Sequence, residues 1–190
     1  MTSQDRPQST LVGFLTVEET ADKKGYVGAL MMTDSNGYPL EFRATTSVKP
    51  SAVQRVLYGG SLESFISIEL CAKKLLKECR RSPAVVLAPD KMFLRIPATD
   101  SPCPVVFVRR AGDVVRASGA GDEAGPAQGM LEAASSPFEA IVYEGAMDSE
   151  TRASIARLLS TCLEQFDLIE AFARMRAALS VLAQEDPRYA

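Results

Sequence analysis

From Ser9 to Ser47 the apolar positions fall at strand spacing. The stretch "STLVGFLTVEE" predicts a first strand. Tyr26 to Thr33 is apolar on both faces, which suits a central strand covered from two sides. Asn36-Gly37 follows, a dipeptide that supplies positive φ at tight turns. Beyond it Leu40, Phe42, Ala44 and Thr46 alternate with Glu41, Arg43, Thr45 and Ser47, so this strand is half exposed. The three segments predict an antiparallel meander.

The rhythm then changes. "KPSAVQRVLYGG" predicts a short helix, with Ser51 and Gln54 in capping-box spacing and Gly59-Gly60 as the stop. A longer helix starts near Ser61. At about 100° per residue, Leu62, Phe65, Ile66, Ile68, Ala72, Leu75, Leu76 and Cys79 form its apolar arc, and Glu69 falls inside that arc beside Leu62. Pro83 ends the unit. "AVVLA" and "VVFVRR" are short apolar runs typical of buried strands, and "FEAIVYEG" predicts another. Two helices close the chain, from about Ser149 (Ile155, Leu158, Leu159, Cys162, Phe166) and from about Leu168. No internal repeat is visible.

A meander joined by helical crossovers to further strands implies an α/β fold: a mixed sheet with helices on its faces and a C-terminal helical hairpin. Residues 1–110 form the α/β core. The Gly/Ala/Ser-rich segment 111–136 reads as a flexible loop or linker, and residues 137–190 complete the same domain with a strand and two helices. Over roughly residues 10–110 the order of elements, a meander followed by a helix and a buried strand, resembles ribonuclease H-like domains. That resemblance implies divalent metal, Mg or Mn, held by carboxylates, the first of them on the opening strand. "TLVGFLTV" has no Asp or Glu before Glu18 and Glu19 at its exit.

Composition narrows the chemistry. The chain has 190 residues, 46% of them hydrophobic, enough for one domain with a sizeable core. Histidine is absent, which removes the commonest metal ligand and general base and every Ser-His or Cys-His nucleophile pair. Cys71, Cys79, Cys103 and Cys162 show no CxxC spacing and read as reduced core thiols, so a cytoplasmic location is expected. No run approaches the roughly 20 apolar residues of a membrane span. Residues 1–120 carry 16 Lys/Arg against 12 Asp/Glu, and residues 121–190 carry 5 against 12. This is a mildly basic body with an acidic end, without the excess of a dedicated nucleic-acid binder.

Three sets of residues are candidates for function. Under the ribonuclease H-like resemblance, metal ligands would come from Asp34, Glu69 and Asp90. Read without it, Glu69 pairs with Lys73 four residues on, Asp90 opens a turn, and no catalytic residue is assigned. Lys73, Lys74, Lys77, Arg80 and Arg81 share one side of a helix and could contact phosphates, although few aromatics accompany them. Leu168, Phe172, Met175, Leu179 and Leu182 recur at helical spacing in the last helix, as core or as a docking stripe. Gly59-Gly60-Ser61 is a helix stop rather than a phosphate loop, since no GxGxxG or GxxxxGK[ST] is present.

The expectation from these features is a non-catalytic interaction or accessory subunit, needing no cofactor and pairing with another protein subunit or with itself through the last helix. The alternatives are a metal-dependent nuclease or related hydrolase, and a nucleic-acid-binding module using the basic helix face 73–81.

Overall fold

The computed structural model describes residues 10–110, 128–131, 138–143 and 147–190. One mixed sheet runs through the molecule in the order β3-β2-β1-β4-β5-β7-β6. β1 (Val12–Glu19), β2 (Tyr26–Thr33) and β3 (Pro39–Ala44) form the expected antiparallel meander. β4 (Val85–Ala88) lies parallel to β1, and β5 (Val105–Arg110) lies parallel to β4. β7 (Phe138–Tyr143) and β6 (Gln128–Leu131) extend the sheet antiparallel. Strand β6 corrects the reading of 111–136 as linker throughout, while residues 111–127 and 132–136 of that segment lie outside the described residues.

Alternation along the strands sorts their side chains onto two faces. On one, Val12, Phe14, Ala29, Met31, Val85 and Leu87 pack against α4 (Ser149–Gln165) and α5 (Leu168–Glu185). Phe14 meets the Phe172 ring edge-on, centroids 5.5 Å apart. Asp148 caps α4 by accepting from the Thr151 N–H at 2.7 Å, and Asp167 caps α5 by accepting from Ile169. These caps satisfy donors that helix starts leave unpaired.

The other face carries Leu15, Leu30, Met32, Val86 and Ala88. A continuous helical run covers it: α2 (Leu62–Phe65), a π-helical segment (Ile66–Ala72) and α3 (Lys73–Glu78). Before it stand α1 (Ala52–Tyr58) and a 3₁₀ turn (Gly59–Ser61). The capping box on α1 forms as expected: Ser51 Oγ accepts from the Gln54 N–H, and Gln54 Oε1 accepts from the Ser51 N–H. Gly28 on β2 lets the run approach closely, because a Cβ there would lie 2.8 Å from the Cβ of Cys71.

At the hairpin the positive φ falls on Gly37 (77°), where an added Cβ would also strike the Phe166 ring. All four cysteines are free thiols. Among the described residues no helix is long and apolar enough to cross a membrane.

Candidate functional site

β1 and β4 are adjacent and parallel, and their chain continuations diverge to opposite sides of the sheet. In open α/β sheets, ligands bind beyond the C-terminal ends of strands at such a switch point. Here that edge receives Glu18 from the exit of β1 and Asp90 just past the end of β4. Glu18 is held on two sides. The buried Thr16 hydroxyl donates to its Oε1 at 2.7 Å, and Arg176 of α5 lies 3.7 Å from the same oxygen. Asp90 caps the 3₁₀ turn Lys91–Arg95 by accepting from the Met92 N–H at 2.8 Å.

The acids expected to share a metal do not gather. Asp34 follows Thr33, whose partner Val12 pairs in turn with Val85, so it stands at the start of β1 and β4 rather than at their end. The length of β4 alone, about 10 Å at 3.3 Å per residue, separates that edge from Asp90's. Asp34 serves the hairpin instead, its Oδ1 accepting from the N–H groups of Asn36 and Tyr38.

Glu69 is exposed, which corrects its placement inside the apolar arc. The arc assumed α-helical rotation throughout, but residues 66–72 are π-helical, with i→i+5 bonding and a different angular advance. Ser67 and Cys71 turn inward, and Glu69 and Leu70 turn outward. Lys73 then bridges Glu69 at 2.8 Å and Asp100 at 3.0 Å. The hydrogen bonds it donates to Glu69 and Asp100 raise the Lys73 ammonium above its ordinary range.

Among the described residues no group of three His, Cys, Asp or Glu side chains could hold a metal ion. The set Asp34, Glu69, Asp90 does not fit the Mg or Mn that the resemblance implies, and no hydrolytic step is derived from it.

On the basic helix face, Lys73 is spent on its two carboxylates, while Lys74, Lys77, Arg80 and Arg81 are exposed. Arg80 and Arg81 lie beyond the end of α3, beside the edge strand β3. Glu41 makes that junction. Its Oε1 accepts from Arg43 Nε at 2.6 Å and from the Arg80 N–H at 3.2 Å. Sequence periodicity put Glu41 and Arg43 on the exposed side of a strand. Nothing in it linked them to a helix end nearly forty positions later.

The C-terminal stripe is core. Leu168, Phe172, Met175 and Leu179 are buried at 0–7% exposure, and Leu182 packs against them. They cover the protein's own sheet, so the docking role expected of them is withdrawn.

No protein-family model matches the chain, and no curated protein matches it in sequence. Its fold does have solved counterparts. Endonuclease V of Bacillus subtilis is similar in structure over 93% of this chain and 83% of its own, with 9% sequence identity and a TM-score of 0.50. Endonuclease V of Ciona intestinalis, solved with a 24mer DNA containing an inosine followed by a ribo-adenosine, covers 90% of this chain and 87% of its own at 14% identity and a TM-score of 0.46. The first likeness establishes the fold as the ribonuclease H-like layout, a mixed sheet with helices on both sides and a C-terminal helical pair. It also overturns the expectation of a non-catalytic accessory subunit. That expectation rested on missing motifs and on the α5 stripe, and the stripe is buried.

Proposed function

We propose that this protein acts on nucleic acid from a ribonuclease H-like scaffold. The observation that carries the reading is the fold, similar over nearly the whole chain to a protein whose name is that of a nuclease. The exposed cations Lys74, Lys77, Arg80 and Arg81 support it, since lysine and arginine on one flank are the groups that engage a phosphate backbone. Free thiols throughout suit a reducing, cytoplasmic setting.

Metal-dependent hydrolysis is a second reading, favoured by Glu18 and Asp90 reaching the same edge of adjacent parallel strands. Two carboxylates do not complete a divalent-metal site, so this reading stays with the test.

Labelled DNA and RNA oligonucleotides, single-stranded and duplex, are titrated with the full chain at several salt concentrations, with EDTA and then with Mg²⁺ or Mn²⁺. Binding is expected to weaken steeply with salt, by about 0.7–0.9 log units per log unit of salt for each phosphate contacted. Lys74→Glu with Lys77→Glu should reduce affinity. Absence of binding to any of these nucleic acids at low salt would sink the proposal. Cleavage in Mn²⁺, lost in Glu18→Gln or Asp90→Asn, would establish the hydrolytic reading.

A further inference from the structure

The outer edge of the sheet carries chemistry that the helix face does not account for. β3 is the outermost strand on its side of the sheet. Phe42 on this strand is 37% exposed, and Tyr38, just before the strand begins, is 67% exposed. These two are the aromatic members of the exposed large hydrophobic side chains among the described residues. The neighbouring concavity is cationic. Leu40, Phe42 and Arg43 line an open groove of about 750 Å³ together with Glu41, Arg80 and Arg81. Three arginines and one glutamate therefore line it.

Glu41 holds this groove together by receiving both the Arg43 guanidinium and the Arg80 backbone N–H. Burial pushes its carboxyl up, but the bond from Arg43, the bond from Arg80 and the charges of both arginines outweigh it and hold it below the usual carboxylate range. Neither Arg80 nor Arg81 makes a side-chain ion pair within hydrogen-bonding reach among the described residues.

We propose that this groove seats single-stranded nucleic acid, with Arg43, Arg80 and Arg81 on phosphates and Phe42 stacked on a base. The inference rests on the reading of the protein as one that acts on nucleic acid, and adds the strand type and the face. Arginine forks match phosphate oxygens, and aromatic faces accept bases of any sequence. A duplex keeps its base faces covered, so aromatics on an open edge discriminate in favour of unpaired strands. An added peptide strand fits this edge less well. The ladder between β2 and β3 shifts register at Met32/Thr33, Pro39 opens β3 without an N–H to donate, and the flanking charge selects an anion.

The test measures fluorescence anisotropy of a labelled oligothymidylate and of a hairpin duplex of equal charge, titrated with the full chain and its variants. Thermal melts verify that each variant folds. Phe42→Ala should weaken single-strand binding by about 5- to 150-fold, the range of one base-stacking contact, and leave duplex binding within about twofold. Arg81→Glu, exposed beyond the helix end, should weaken single-strand binding and flatten its salt dependence without depending on Phe42 packing. Single-strand affinity unchanged in both variants overturns the groove while leaving the nucleic-acid reading intact. A wild-type chain that binds no nucleic acid removes both readings. Saturable binding of a neutral extended peptide, lost in Phe42→Ala while oligothymidylate binding is not, would assign the edge to protein instead.

Discussion

Helices α1 and α5 both present apolar residues at helical spacing, and the fold treats them in opposite ways. In α5, Phe172 and Met175 are 1% and 0% exposed against the sheet. In α1, Val53, Val56 and Leu57 are 65–82% exposed, and no residue of that helix is buried. What holds α1 is a handful of surface contacts: its capping box, the Arg55 side chain donating to the Lys24 carbonyl at 2.7 Å, and Tyr58 stacked on Phe65 at 4.4 Å. Periodicity says which side of a helix is apolar. What covers that side is decided by where the chain next crosses the sheet.

The sharpest way to break this contrast is to cut into α5. Phe172→Ala should lower unfolding free energy by about 3–5 kcal/mol in urea denaturation, the cost of a large-to-small change in a packed core. Phe172→Glu should leave no cooperative transition. A variant that stayed folded and merely lost a dimer would restore the stripe as a docking surface.

Within the same core, burial raises the Cys162 thiol to about 11. A raised folded-state value means that the neutral thiol is favoured in the native protein. Its contribution is therefore complete below the ordinary thiol range near pH 9 and falls away as pH rises toward 11. The urea midpoint should decline across that window, with a shallower slope in Cys162→Ala.

Smaller effects belong to α1. Ser51→Ala removes a cap worth about 0.5–2 kcal/mol to its own helix. The loss should appear as faster amide hydrogen exchange in α1, with less effect on the global midpoint. Smallest of all, Val56→Ser and Leu57→Ser should change global stability by no more than about 0.5 kcal/mol.

The sequence made the meander, the capping box and the two terminal helices legible, because turn residues, caps and apolar spacing act over a few positions. It misled at Glu69, since a switch from α to π winding leaves no signature in a 3.6-residue pattern. It was silent on the Glu41–Arg80 junction, which exists only once β3 and the end of α3 are packed together. The candidate acids failed to converge for a related reason. Asp34 and Asp90 both follow strands, but strand direction, and not chain order, decides which edge each one reaches. Strand β6 went unread because glycine and alanine surround its four residues.

The parallel pairing of β1 with β4 also imposes a sequence of events on folding. Phe14 meets Leu87 across roughly seventy residues of intervening chain, whereas β1, β2 and β3 can zip together locally. At translation rates of about 5–20 residues per second, β1 emerges on the order of 4–14 s before its parallel neighbour exists. During that interval its unpaired side offers the run Val12-Gly13-Phe14-Leu15 as an open template for other chains. The nascent meander is thus the aggregation-prone stage of this protein's life, and chaperone demand should concentrate there.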